Sequence, residues 1–403
     1  MNKPCLLVVA STYPRWQGDH EPGFVHELSK RLAMDFNVHA LCPHAPGALF
    51  EENLDGVEVH RFRYAPSRLE TLVQNGGIIT NLKHHQWKCL LVPFFFLGLV
   101  WQIWRLAHSL HPVCIHAHWL IPQGLAVALL QGWDAAIPPF LVTAHGADLF
   151  ALRGPPFLML KRFVLRRAAA LSVVSPAMVG EAASLGGDPA AIRVIPMGVD
   201  FEKVFVPGEV ASRQAGEILF VGRLVEKKGL SYLIKALPLV LEQMPHAHLS
   251  IAGFGPEEPL LRSLASKLGV AGRVDFLGAV PQSSLPRLYQ SASLFAAPFI
   301  RTASGDQEGL GLVFIEAIAC TCPPLVGELA VLSDLFLPEE EDFLVHPRDT
   351  QELAKKILAL LADTPTAVAR TEEIRKRLVG RLGWDRIATE YAQYIRSISR
   401  RLK

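Results

Sequence analysis

Short runs rich in Val, Ile and Leu alternate with helix-patterned stretches along this chain, and the alternation starts twice. In the first half the runs are CLLVVAS, NVHALCP, VEVHRFRY, VCIHAHW, PFLVTAHG and LSVVS, with a helix near 23 to 34. After Pro207 and Gly208 the pattern restarts with EILFVGRL, a helix at 229 to 243, HLSIAGFG, a helix at 257 to 268, VDFLG, LFAAPF, a helix from about 310, and PPLVG. Strands separated by helix-length segments pair in parallel, because parallel neighbours need a crossover. The expected fold is therefore α/β: two Rossmann-like doubly wound domains, residues 1–205 and 206–383, facing across a cleft. Ligands of such sheets bind beyond the carboxyl ends of the strands, which puts the expected site between the domains. The last stretch, WDRIATEYAQYIRSISRRLK, spaces Ile387, Tyr391, Tyr394 and Ile395 near helical period and ends in basic residues that suit a helix C-terminus. This helix, 384–403, is expected to pack back on the first domain.

A chain of 403 residues has room for two domains of ordinary size. Half of the residues are hydrophobic and 19% are charged, which excludes a disordered chain. A net charge of +2, near balance in both halves, offers no basic field for nucleic acid. The cysteines Cys5, Cys42, Cys89, Cys114, Cys320 and Cys322 mostly sit in apolar runs, and the start MNKPCLLVVA lacks the cleavage site and polar spacer of a secretory signal, so a reduced, cytoplasmic location is expected. Cys320 and Cys322 are too close for an ordinary disulfide and read as small core residues. Twelve of the fifteen histidines precede residue 200, among them His84 with His85 and His116 with His118. Neither pair has a carboxylate or a third histidine at ligand spacing, so no metal is expected.

Two segments bear on membranes. Cys89 to Ile103 is strongly apolar, carries Pro93 and Gln102, and is flanked by Lys88 and Arg105, with Trp87, Trp101 and Trp104 around it. At about 15 residues it falls short of the roughly 20 that a spanning helix needs. It reads either as a buried core helix or as an interfacial helix dipping into a bilayer. LMLKRFVLRRAA places Lys161, Arg162, Arg166 and Arg167 within two turns, either a solvated face or a seat for anionic lipid headgroups.

Two motifs carry chemistry. In VGRLVEKKGL a strand ends in Gly222 and Arg223, and Lys228 follows at the start of a helix. Two cations at a helix start either stand exposed to solvent or seat a diphosphate, since guanidinium forks onto phosphate oxygens and ammonium adds a point charge. In GDQEGLGLVFIEAIAC, Glu308 precedes Gly309, Leu310, Gly311 and Leu312, and Glu316 follows about two turns into an apolar helix. The glycines let backbone N–H groups approach an anion. A carboxylate in that apolar setting must be satisfied, either by a ribose diol or by a nearby arginine.

Together, Arg223 with Lys228, the E-x7-E pair Glu308 and Glu316, and IAGFGPEE resemble glycosyltransferase family 4, the retaining GT-B enzymes. The resemblance runs through STYPRWQGDHEPGFVHELSKRLA, HAHWLIPQGLAVAL, VTAHGADLF, LSVVSPAM, IPMGVDFEKV and RVDFLGAVPQSSLPRLYQSASLFAAP. It implies that Arg223 and Lys228, beside Gly222, hold the donor diphosphate and stabilise charge as the nucleotide leaves. Glu316 would hold the ribose, Glu308 the donor sugar, and Leu277 with Gly278 the base. His145 of the HGAD motif would touch the sugar near the reacting carbon, its carbonyl stabilising positive charge there, with Asp148 orienting it. Gly18 would lie in the loop that approaches phosphates and acceptor. Retention is explained in the family by same-face attack, the leaving phosphate taking the acceptor proton, so no separate base and no metal are implied.

The sequence departs from the family pattern where Thr321 replaces a glycine, where Ala330-Val331 replaces a glycine pair, and where Gly18-Asp19 stands for two glycines. The expected function is transfer of a sugar from a nucleotide sugar, such as a UDP- or GDP-sugar, to a lipid-linked or glycan acceptor. Peripheral contact with an anionic membrane at its cytoplasmic face is part of this expectation. The competing readings are a GT-B epimerase or phosphorylase, and a nucleotide-sugar-binding protein without activity.

Overall fold

A computed structural model describes residues 3–400 apart from His20, Pro22, Asn75 and Gly76. The chain forms two compact units, one taking the chain up to Met197 together with the segment from Trp384 onward, the other Gly198–Gly383. The first unit therefore ends eight residues before the expected 205. Residues 198–205 are tied to the second unit instead: Val199 N–H donates to Leu382 O at 2.9 Å and the Arg375 guanidinium to Phe201 O at 3.0 Å.

The first unit holds strands β1 (Cys5–Val9), β2 (Asn37–Pro43), β3 (Glu51–Leu54), β4 (Val57–Phe62), β5 (Cys114–His118), β6 (Phe140–Ala144), β7 (Ala170–Val173) and β8 (Ile192–Val194) in the order β3-β4-β2-β1-β5-β6-β7-β8. Every pairing is parallel except the β3–β4 hairpin, which turns on Asp55 (φ 50°) and Gly56 (φ 87°). β1 and β6 read as unbroken apolar or small runs because helices cover both faces of a parallel sheet, and β5 is equally buried although it carries His116 and His118. The strand order reverses around β1, so the carboxyl ends of β1 and β5 form this unit's switch point.

The apolar segment is longer than its sequence run suggested. A helix spans Leu91–Leu110, after a tight turn at Gln86–Leu90, and by length and composition alone it would suffice to cross a membrane. Leu91, Phe95, Leu99, Ile103 and Leu106 are buried on its sheet side, while Leu90, Phe94, Leu97 and Trp101 are 60–69% exposed. It is thus a core helix on one face and an open apolar surface on the other. The basic flanks are reduced relative to expectation. Lys88 is buried and donates to Thr71 O and Asn81 Oδ1, and Lys161 is fully buried and donates to Leu149 O and Ala151 O. An ammonium surrounded by carbonyls at helix and loop ends is a structural tie, not a headgroup contact.

The final helix, Trp384–Arg400, belongs to the first unit. Its apolar stripe includes Ile387, Tyr391, Tyr394 and Ile395, and the Tyr391 hydroxyl donates to Ile195 O at 3.1 Å. Arg401 to Lys403 lie outside the described residues.

The second unit holds β9 (Gln214–Val221), β10 (His248–Ala252), β11 (Val274–Gly278), β12 (Ala292–Ala297), β13 (Pro324–Gly327) and β14 (Leu344–Val345), all parallel, in the order β11-β10-β9-β12-β13-β14. The order reverses around β9, and the candidate donor residues lie after β9, at the end of β11 and after β12. Cys320 and Cys322 are fully buried here, and both are free thiols.

Candidate functional site

In the second unit, β9 ends at Val221 and the chain runs through Gly222, Arg223 and a single tight turn at Glu226–Lys228 before the helix Leu230–Gln243 begins. Lys228 therefore precedes the helix instead of opening it, because Gly229 (φ 69°) breaks the helical run. The loop after β10 closes on this segment at Gly253, where a Cβ would stand 1.9 Å from Gly222 O. Only glycine allows that approach. Gly253 N–H also donates to Gly278 O at 2.8 Å, which brings the end of β11, with the half-exposed Leu277, beside the β9 loop.

Lys228 and Glu308 are brought together. Lys228 is buried, its ammonium 4.6 Å from the centroid of the Phe299 ring and 2.7 Å from Glu308 Oε2. Oε2 is buried against that ammonium in a charge-assisted pair. Burial alone would raise the Glu308 carboxyl, but Lys228, Lys227 and Arg223 hold it down at about 2. Burial in turn lowers the Lys228 ammonium against the pull of Glu308. Lys227, not foreseen from the sequence, pins the same loop through Asp306 at 3.1 Å and Gln307 O at 3.3 Å.

Gly309, Leu310 and Gly311 follow as a buried loop, and the helix spans Leu312–Ala319. Gly311 (φ 73°) lies in the left-handed region, so the helix starts later than expected and Glu316 is its fifth residue, not two turns in. Glu316 is not paired with an arginine. Tyr289, fully buried, donates its hydroxyl to Glu316 Oε2 at 3.0 Å. Burial raises the Glu316 carboxyl to about 7, with the Tyr289 hydroxyl and the Lys228 charge working against it. One ammonium is thus felt by both carboxylates of the E-x7-E pair.

Thr321 takes the left-handed conformation (φ 56°) where the family pattern has glycine. The half-buried Arg213 guanidinium compensates, donating to Cys320 O, Thr321 O and Thr321 Oγ1 at 2.9–3.1 Å.

In the first unit, His145 follows β6 and Gly146 (φ 108°) turns the chain into Ala147–Phe150. Asp148 is buried, and its carboxylate accepts from His145 N–H at 3.0 Å and Leu120 N–H at 2.9 Å. It orients the backbone of His145, not the ring. The ring lies among Phe24, Trp119 and His118, with centroids 4.9–5.1 Å away. Burial lowers the His145 imidazole to about 3, which keeps it neutral. Gly18 (φ 79°) sits in the loop after β1, where Arg15 Nε donates to Asp19 Oδ2 at 2.8 Å. His20 and Pro22 of that stretch lie outside the described residues. Among the described residues, no group of three His, Cys, Asp or Glu side chains could hold a metal ion.

Two family models match: Glycosyl transferase 4-like domain over residues 24–198 and Glycosyl transferases group 1 over residues 209–377. The GDP-mannose-dependent alpha-(1-6)-phosphatidylinositol monomannoside mannosyltransferase of Mycobacterium tuberculosis is 32% identical over 270 residues, 64% of this chain and 69% of the relative. The chain belongs to the group 1 glycosyl transferases.

A second relative of this glycosyltransferase, the glycogen synthase of M. tuberculosis, is 29% identical over 71% of this chain and 69% of its own. Among solved structures, sucrose-phosphate synthase from Thermosynechococcus elongatus aligns with a TM-score of 0.77 at 22% identity, over 98% of this chain and 99% of that one. Anabaena HepE, solved with UDP and glucose, aligns at 0.74 and 19% identity over 98% and 100%. These likenesses establish the GT-B fold, two α/β domains with parallel sheets, for this glycosyltransferase.

Proposed function

We propose that this glycosyltransferase moves a sugar with retention, without a metal, from a nucleotide sugar to a lipid-linked or glycan acceptor. The observation that carries the reading is the Lys228 ammonium, 2.7 Å from Glu308 and close enough to Glu316 to act on its carboxyl. Lys228 and Arg223 bind the diphosphate and stabilise it as it leaves, the service a divalent cation gives elsewhere. Glu316 takes the ribose hydroxyls, and Glu308, held beside them by Lys228, takes hydroxyls of the sugar. His145 meets the transferred sugar, and Leu277 with Gly278 meets the base. The acceptor hydroxyl attacks the face that the diphosphate leaves and passes its proton to the departing phosphate, so no side chain is needed as base.

The mannosyltransferase relative is described as GDP-mannose-dependent and as acting on a phosphatidylinositol mannoside. This favours a GDP-sugar donor and a lipid acceptor here. Contact with an anionic membrane at the cytoplasmic face fits the open face of helix Leu91–Leu110. No Asp or Glu occurs from 71 to 133, nor from 149 to 180, and Arg162, Arg166 and Arg167 lie in the second stretch.

The test measures nucleoside diphosphate release from GDP-mannose and UDP-glucose, with and without vesicles of extracted anionic lipid, in the presence of a metal chelator. Release that the chelator leaves intact and lipid increases is the expected result. Absence of release under every condition would favour a binding protein, and loss on chelation would remove the metal-independent reading. Flotation with anionic vesicles at low salt tests the membrane contact separately, and protein that stays at the bottom of the gradient refutes it.

A further inference from the structure

His116 and His118 have no part in donor binding as described above, yet both are fully buried on β5. Parallel pairing sets His118 opposite Thr143, one residue before the end of β6. The junction is held from two sides: Trp119 N–H donates to Thr143 O at 2.9 Å, and the Asp148 carboxylate bridges Leu120 and His145. Trp119 itself is turned into a positive φ of 76°. This arrangement fixes the His118 ring against that of His145, with Nδ1 of His118 2.9 Å from Nε2 of His145. The rings are only 19° from parallel and their centroids 5.1 Å apart, the geometry of an edge-to-edge bond within a shared plane.

Only one of the two facing nitrogens can carry the hydrogen when both rings are neutral, and the rest of each ring decides which. Nε2 of His118 is buried with no partner. If His145 were the donor, His118 would carry its own hydrogen on that orphaned Nε2. A buried N–H without an acceptor is the rarer and costlier defect, whereas an unused lone pair is better tolerated. Burial, followed by the repulsion of His116 and His145, keeps His118 uncharged, so the alternative of an imidazolium donating from both nitrogens does not arise.

We propose that His118 is a positioning residue for His145: its Nδ1–H donates to His145 Nε2, fixes that ring as the Nδ1–H tautomer, and so presents a ring N–H to an oxygen of the transferred sugar. The sugar contact rests on the glycosyl-transfer reading of His145; the tautomer does not. His116 backs the pair from below, its ring centroid 4.2 Å from that of His118 and its Nε2 2.8 Å from Thr143 Oγ1.

The deciding experiment is a ring-nitrogen NMR correlation on protein labelled with 15N-histidine, the His145 signals being assigned by their loss in His145→Gln. The expected spectrum has hydrogen on Nδ1 of His145 and none on Nε2. His118→Phe keeps the ring volume but removes the donor, and is expected to lose the single tautomer. His118→Asn, whose amide N–H stands near the former Nδ1, is expected to restore it. In parallel, nucleoside diphosphate release from GDP-mannose should fall at least about tenfold in kcat in His118→Phe, with KM little changed, and return to within about threefold in His118→Asn. Hydrogen on His145 Nε2 in the unaltered protein overturns the proposal, and so do Phe and Asn variants that behave alike in spectrum and rate. If no donor is turned over by any form, the transfer reading fails while the ring spectra still decide the tautomer.

Discussion

Lys228 Nζ stands 2.7 Å from Glu308 Oε2, both groups largely removed from solvent and 80 residues apart in sequence. Removing one partner strands the other as a buried charge, which costs more than removing both. Lys228→Ala is expected to lower stability by about 3 kcal/mol and transfer by more than about tenfold, while Lys228→Ala with Glu308→Ala recovers part of the stability but none of the transfer. Urea denaturation beside a diphosphate-release assay checks both. The Glu308 carboxyl is held down from an ordinary 4.5 to about 2, so the stability it lends is complete above pH 4.5 and is lost as the pH falls towards 2.

Glu316 works in the opposite sense. Its carboxyl is raised from 4.5 to about 7, so the folded protein binds a proton that the unfolded chain has already lost. Stability is therefore expected to fall as pH rises from 4.5 to 7, by roughly 3 kcal/mol at most, and Glu316→Gln is expected to remove that fall. An ionised carboxylate is the better acceptor for a ribose diol, so affinity for the nucleoside diphosphate should climb through pH 7 in the unaltered protein and stay low and flat in Glu316→Gln. Calorimetric titration at several pH values reads this directly.

Asp148 accepts two backbone N–H groups, one on each strand end. Asparagine keeps the shape but points an N–H₂ at one of those donors. Asp148→Asn is expected to cost about 1–3 kcal/mol and to slow transfer with His145 still present. Thermal melting and steady-state kinetics give the two numbers, and an unchanged rate would separate Asp148 from the placement of His145.

The helix Leu91–Leu110 predicts an asymmetry between its faces. Leu99→Ala, on the buried side, should cost about 2–5 kcal/mol. Leu97→Ser, 65% exposed two residues earlier, should cost less than about 0.5 kcal/mol yet weaken flotation with anionic vesicles. Equal effects of the two on stability would contradict the packing described here.

Much of the fold was legible in the sequence because strands covered on both faces leave unbroken apolar runs that no helix pattern explains. The first-unit edge strand Glu51–Leu54 was not, since EENL is polar and only Asp55-Gly56 marks the turn. The E-x7-E spacing and the basic pair stood out as local patterns. Their partners did not, because Tyr289 meets Glu316 across 27 residues and Lys227 meets Asp306 across 79. Lys161 looked like part of a charged surface for the same reason: the carbonyls that take its hydrogens lie in another element. Helix starts slipped by a residue or more wherever a glycine with positive φ stood at the boundary, as at Gly229 and Gly311.

The helix Trp384–Arg400 closes the first unit after the chain has already built the second. In topological terms the second unit is an insertion, a domain spliced into its host between Met197 and Trp384. A fragment ending before Trp384 would lack Tyr391, Tyr394 and Ile395 from the host's core and leave their neighbours wet. The inserted unit, by contrast, is one uninterrupted stretch of chain.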